Sequence, residues 1–317
     1  MISTIDRKRI YIFVAIAYGS SIAVALVLFN DGISLSDPMV TKPLAANLLR
    51  VLMFAPAVAN IATRLITREG WSNMLLRPTL RRGWPLYLAA LFLPALATLV
   101  GGATYYLLFP SRFDPSMTYA REELGITPVG GATDPWTFII IQTASTIPMF
   151  LIYIPLMFGE EFGWRAYLLP KLVPLGPRKA VLLVGAIHAV WHWPIIFLGY
   201  EYGFDYWGAP VVGPLLFVWI CFLLSTFLGW LTLRSGSVWP AAIAHGVMNA
   251  SPLLMVWFIR GPIDLLIGPV PVGIIGSLGL VLLALPIFFI PGALAPTAGP
   301  QPERSASASS TLEGSRV

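Results

Sequence analysis

The chain has 317 residues, of which 57% are hydrophobic and 11% charged, with a mean hydropathy of +0.77 and a formal net charge of +5. Soluble domains carry about 25% charged residues, so the composition excludes an ordinary soluble protein and turns the excess of Lys and Arg into a topology signal instead of a nucleic-acid-binding one. The one cysteine, Cys221, has no partner in the chain, which excludes an intramolecular disulfide and a thiolate metal cluster.

Arg7, Lys8 and Arg9 precede an apolar run from Ile10 to Phe29. The run is about 20 residues, enough to span roughly 30 Å of hydrocarbon, and no small-residue cleavage site follows it before Asn30. It predicts a membrane span, not a removable leader. Further spans are predicted at about 45–65, 84–108, 136–158, 179–198, 211–233, 238–258 and 271–295, which makes eight. The fold class is therefore all-α, a polytopic membrane bundle of about eight transmembrane helices.

Loop charge tests that count. With eight spans the basic residues of the N-terminus, of 64–82 (Arg64, Arg68, Arg77, Arg81, Arg82), of 165–179 and of Arg234 all fall on one side, while Asp31, Asp37, Glu201 and Asp205 fall on the other. The positive-inside rule then makes both termini cytoplasmic. The pattern suits a bacterial plasma membrane. The stretch from Thr67 to Arg82 mixes Trp71, Met74 and Leu75 with basic residues and reads as an amphipathic segment on the inner surface. The loop from Pro110 to Pro135 is long enough to cover an opening. Trp71, Trp84, Trp136 and Trp207 stand at span ends as interface anchors. Residues 1–298 form a single transmembrane domain, and 299–317, rich in Ser, Ala, Gly and Pro, form a disordered tail.

Two adjacent carboxylates, Glu160 and Glu161, close the fourth span in Phe158-Gly159-Glu160-Glu161-Phe162-Gly163-Trp164-Arg165. A charge at membrane depth costs roughly 2.5 to 3.5 kcal/mol, which makes it a functional-site hypothesis. On a helix Glu161 and Arg165 share a face and pair, while Glu160 points about 100° away and is left free to work.

All three histidines lie inside apolar spans: His188 and His192 in the fifth, His245 in the seventh, the last four residues before Asn249. Each i, i+4 pair faces one way from its helix. Spans 4, 5 and 7 thus offer polar faces to one interior, and the expected partners are membrane lipid and a membrane-associated peptide or protein, not nucleic acid. A carboxylate, imidazoles and an amide in an apolar interior can activate water against an amide carbonyl and stabilise the oxyanion. No Gly-x-Ser-x-Gly elbow supports a serine mechanism.

Glu160-Glu161-x-x-x-Arg165, a histidine element at 188–192 and His245-x-x-x-Asn249 resemble the three-motif pattern of the CAAX protease and bacteriocin-processing (CPBP or Abi) intramembrane endopeptidases, which include the type II CAAX prenyl proteases. The resemblance covers about 136–258. It implies an endopeptidase cutting near the cytoplasmic side, with Glu160 as general base, His192 holding the water, His245 and Asn249 as the oxyanion site, and Glu161 and Arg165 as supports. The family's second motif has an aromatic residue four before its histidine, and here that slot is His188, a secondary partner of His192. Family members are also described as metalloproteases, for which Glu160, His192 and His245 would be the zinc ligands. The cofactor reading is none or zinc, with glutamate-activated water preferred because no His-Glu-x-x-His element is present. Two other readings stand beside the protease: a non-proteolytic binding or immunity protein of the same fold, and a proton-coupled transporter.

Overall fold

The computed structural model describes residues 2–36, 42–122, 137, 140–141 and 153–297. Helix α1, Thr4–Asn30, is capped by Ser3, whose hydroxyl accepts from the Asp6 N–H at 3.1 Å. It is apolar on every side, burying Phe13, Ala17 and Leu28 while exposing Tyr11, Leu26 and Phe29. Helices α2, Pro43–Leu52, and α3, Ala55–Thr67, form an apolar pair bent by 41°. Pro56 at the start of α3 supplies no N–H for a continuous ladder across the break. Helix α4 is Leu80–Leu108 and α5 is the short Thr118–Glu122.

The chain is helical again over 153–163 and passes through a π-helical turn, Trp164–Leu168, into Leu169–Leu172. This stretch is α6. Helix α7, Pro177–Ile196, starts after Gly176 at φ 100 with proline at its first position. Helix α8 is Val212–Ser235, ended by the left-handed Gly236. Helices α9, Trp239–Ala250, α10, Leu253–Val256, and α11, Leu278–Phe289, complete the bundle. Among the described residues there is no strand, only an isolated bridge between Phe113 and Ile259.

The protein is an all-helical, polytopic membrane protein. Four helices, α1, α4, α7 and α8, are long and apolar enough to cross a membrane, five if the bent α2–α3 pair is counted as one span. The segment expected at 238–258 breaks after Ala250: Ser251 is still helical at φ -74 and ψ -29, but Pro252 has no N–H with which to continue the ladder. The segment expected at 271–295 is helical only over Leu278–Phe289, ending where Ile290, extended at ψ 124, precedes Pro291. Most of the expected span 136–158, the loop beyond residue 122, Trp136 and the tail from 298 lie outside the described residues.

Helix α7 packs on α8, α9 lies against α4 and α8, and α1 rests on α3 and α7. One end of the bundle is tied by charge. Glu69 receives the Lys171 ammonium, the Tyr167 hydroxyl at 2.9 Å and Arg9 at 3.3 Å, so the start of α1 and the connections after α3 and α6 share that end. The opposite end is tied by backbone, with Leu35 N–H donating to Leu198 O at 2.7 Å. The connection from 67 to 82, expected as an amphipathic surface segment, is irregular up to Leu80. Arg64 holds it through Gly70 O and Asn73 O, and Met74 and Leu75 pack against the cluster of Ala57, Phe162, Ala166 and Val238. Trp71, Trp84 and Trp207 are exposed.

Candidate active site

The site helix α6 is seated by two glycines one turn apart. A Cβ on Gly159 would come within 2.6 Å of Met53 O, and one on Gly163 within 2.4 Å of the Pro56 side chain, so the backbones of α6 and the α2–α3 bend touch. Small residues permit such close approach inside a membrane, where packing drives association. Asn60 completes the joint by donating from Nδ2 to Phe162 O at 2.9 Å. Directly beyond comes the π turn, in which Leu169 N–H bonds Trp164 O five residues back. Turns of this kind concentrate at functional sites because they re-aim side chains on a rigid helix.

Glu160 and Glu161 are both buried and diverge as adjacent helical residues must. Glu161 Oε1 accepts from Arg165 Nη1 at 2.9 Å, as the i, i+4 spacing predicts, and also from His245 Nδ1 at 2.8 Å. Glu160 is not left free: its Oε2 lies 2.9 Å from His188 Nε2. A carboxylate can only accept, so the His188 proton sits on Nε2, and its Nδ1 has no partner among the described residues. The His188 ring lies beside Trp164, with centroids 5.1 Å apart and the planes tilted by 30°.

His192 is the next imidazole along, its ring 4.9 Å from that of His188. Its Nδ1 lies 3.1 Å from His188 O, a carbonyl, which places the proton on Nδ1 and leaves Nε2 with a lone pair. His245 donates Nδ1–H to Glu161, so its Nε2 is the uncommitted nitrogen, an N–H donor when the ring is protonated. Asn249, one turn on, touches Met157 Sδ through Nδ2 at 3.1 Å.

Glu160, His188, His192, His245 and Asn249 line one cavity of about 800 Å³. Its walls are mainly apolar, with Leu49, Met53, Phe217 and Ile220 among them, the usual character of a small-molecule or peptide site. It reaches past α7 to Ser36 and the loop 199–203, at the end of the bundle away from Arg9.

The donors that converge among the described residues are Glu160, His188 and His192, within 4.8 Å of one another. The sequence-based ligand set of Glu160, His192 and His245 is not the one that gathers, because His245 is turned toward Glu161 through Nδ1. Two imidazoles and a carboxylate fit zinc in kind. Bonds of about 2.0–2.1 Å would require these donors to draw closer together.

Residues 142–251, which carry Glu160, Glu161, Arg165, His188, His192, His245 and Asn249, match the family model of Rce1-like proteins, type II CAAX prenyl endopeptidases. This segment is similar to that family. A relative, CAAX prenyl protease 2 of Methanococcus maripaludis, is 28% identical over 132 residues, covering 40% of this chain and 49% of the relative. The chain thus spans about half the length of the curated relative it matches. The Rce1-like segment holds the whole polar cluster, whereas two of its supports, the α2–α3 bend and Asn60, lie before it in the sequence.

Sequence reasoning missed three contributors. Asn60 and the Gly159/Gly163 contact carry no chemistry of their own, and only proximity reveals them. Glu201 also lines the cavity. Its signal was a carboxylate one residue from Tyr200 and two from each of Gly199 and Gly203, which reads locally as an ordinary polar turn.

Proposed function

We propose that this chain is an intramembrane endopeptidase that hydrolyses a peptide bond of a membrane-associated substrate with water activated by Glu160. The observation that supports it best is the buried Glu160–His188 hydrogen bond, with the His192 lone pair beside it, opening on an apolar cavity large enough for a peptide. Glu160 takes one proton from the water as its oxygen attacks the scissile carbonyl carbon. The His192 Nε2 accepts the water's other O–H and fixes its direction. The carbonyl oxygen, now an oxyanion, accepts hydrogen bonds from the His245 ring and from the Asn249 amide. Glu160 then passes its proton to the departing amine nitrogen, and the C–N bond breaks.

Glu161 and Arg165 act through other groups, fixing the His245 ring by its Nδ1. Should the chain use zinc, Glu160, His188 and His192 would hold it, and the ion would supply a bound water of lowered pKa. The match to type II CAAX prenyl endopeptidases makes a CAAX-type C-terminal substrate part of the proposal.

The proposed topology keeps eight crossings, with both termini and the Arg9–Glu69–Lys171 end in the cytoplasm of a bacterial cell, and the core on spans 4, 5 and 7. The clustering of basic connections at that end supports it. Glu160 lies eleven residues before Lys171, about three helical turns, which favours cleavage in the cytoplasmic half.

The test is cleavage of membrane peptides by purified protein in liposomes. Wild type cuts, and Glu160→Gln, folded by thermal melt, does not. Cutting by Glu160→Gln at the wild-type rate would overturn the proposal.

A further inference from the structure

Beyond the groups used above, one further carboxylate residue lines the same cavity from a separate element. Glu201 stands in the connection between α7 and α8, outside the membrane-crossing helices. The loop is rigidly built: Leu198 O takes the Leu35 N–H at 2.7 Å, Tyr200 N–H reaches Ile195 O at 3.1 Å, and Tyr202 hydroxyl donates to Val272 O at 3.0 Å. Within it Glu201 adopts φ 67, a left-handed conformation that disfavours every side chain but glycine's. The neighbouring left-handed positions, 199 and 203, are glycines. A glutamate kept in a backbone that suits glycine, with its carboxylate on a cavity wall, is an outlier of the kind that marks functional positions.

The charge around it gives the sign of what it would meet. Leaving the imidazoles aside, the charged residues lining the cavity among the described residues are Glu160, Glu201 and Arg50. Arg50 is engaged by Asn47 at 2.8 Å, and among the described residues no donor reaches the Glu201 carboxylate. The wall therefore has a surplus of negative charge in a largely apolar space, where an incoming cation is bound strongly. Burial, with Glu160 as a second cause, raises the Glu201 carboxyl to about 7, so a cation would also complete its ionisation.

We propose that Glu201 is a specificity-determining residue that accepts a Lys or Arg side chain of the substrate, in the part that runs from Glu160 toward the Ser36 end of the cavity. The cleavage consequence rests on the peptidase reading, and the binding consequence on the cavity alone.

The experiment uses fluorescent membrane peptides that differ by Lys, Ala or Glu at one position, moved along the chain. They are bound to full-length Glu160→Gln protein in nanodiscs and read by anisotropy. Removing the Glu160 charge attributes any cation preference to Glu201. At one position the Lys peptide is expected to bind about tenfold tighter than the Ala peptide. Adding Glu201→Gln should erase that ratio, and adding Glu201→Lys should turn it in favour of Glu. Glu201→Asn, a residue tolerant of the left-handed backbone, repeats the loss if the Gln variant misfolds. Equal affinity for Lys and Ala peptides at every position, or a Lys preference that survives Glu201→Gln and Glu201→Asn, would overturn the proposal. Wild-type cleavage of the same peptides separates the two readings. A Lys preference in binding without any cleavage leaves Glu201 supported and the peptidase refuted. Cleavage without binding preference does the reverse.

Discussion

His245 Nδ1 and Arg165 Nη1 meet at one atom, Glu161 Oε1, at 2.8 and 2.9 Å. The carboxylate thus joins α6 to α9 and decides which nitrogen of His245 faces the cavity. Glu161 and Arg165 are fully buried, so the pair's stability depends on each remaining matched by the other.

Breaking that match should be expensive. Arg165→Ala leaves an uncompensated carboxylate in the interior, a change that typically costs about 3 to 5 kcal/mol. A fall in the thermal midpoint of the detergent-solubilised protein of several degrees or more is expected, larger than for Glu161→Gln, which keeps an acceptor for His245. Equal midpoints for wild type and Arg165→Ala would show that the pair is not structural.

The two histidines of α7 should separate by chemistry. His188→Gln can still offer an N–H near the place of Nε2 and hold Glu160, whereas His188→Phe cannot. Rates of peptide cleavage are expected to drop modestly for Gln and by about 10²-fold or more for Phe. His192→Ala should lower kcat with little change in KM, as befits a group that directs water. A His188→Phe enzyme as fast as wild type would make its contact with Glu160 incidental.

Chelation addresses the donor set. With glutamate-activated water, cleavage persists in strong chelator and elemental analysis finds no zinc bound stoichiometrically. Reversible loss, restored by zinc and abolished by His188→Ala, would instead make Glu160, His188 and His192 ligands.

The joint at Gly163 offers a packing test free of chemistry. A methyl group there must displace Pro56, with 2.4 Å available. Overpacking of this sort costs about 1 to 3 kcal/mol. Gly163→Ala should therefore lower the thermal midpoint, and Gly176→Ala, where nothing lies within 4 Å but φ is 100, should do so only through backbone strain.

Stability should also follow pH through Glu201. Its folded carboxyl titrates near 7 against about 4.5 in the unfolded chain, so between those values the folded state binds more protons. Stability from this group is present in acid and declines as pH rises from about 4.5 to 7, by an amount on the order of 1 to 3 kcal/mol. Glu201→Gln should flatten that part of the melting-temperature profile, gaining on wild type above pH 7. Parallel profiles for the two proteins would show that the Glu201 carboxyl is not raised toward 7 by folding.

Composition by itself established the membrane class, since 11% charge cannot coat a soluble surface of this size. Helical spacing by itself established the Glu161–Arg165 pair, because i, i+4 residues meet on any regular helix and the π turn begins too late to part them. The order of three polar motifs on three apolar runs was enough to point to the family. Spacing within one helix, however, says nothing of which face meets which across a bundle. Only the packing of α6 against α7 and α9 brought Glu160 onto His188, turned His245 to Glu161, and drew Glu160, His188 and His192 together. The breaks at Pro252 and Pro291 shortened two apolar runs that hydropathy averages read as continuous, because averaging over a window cannot register one missing N–H at Pro252 or one extended residue, Ile290, before Pro291. Glu201 became visible last, since a loop carboxylate acquires meaning only from the cavity that the distant helices enclose.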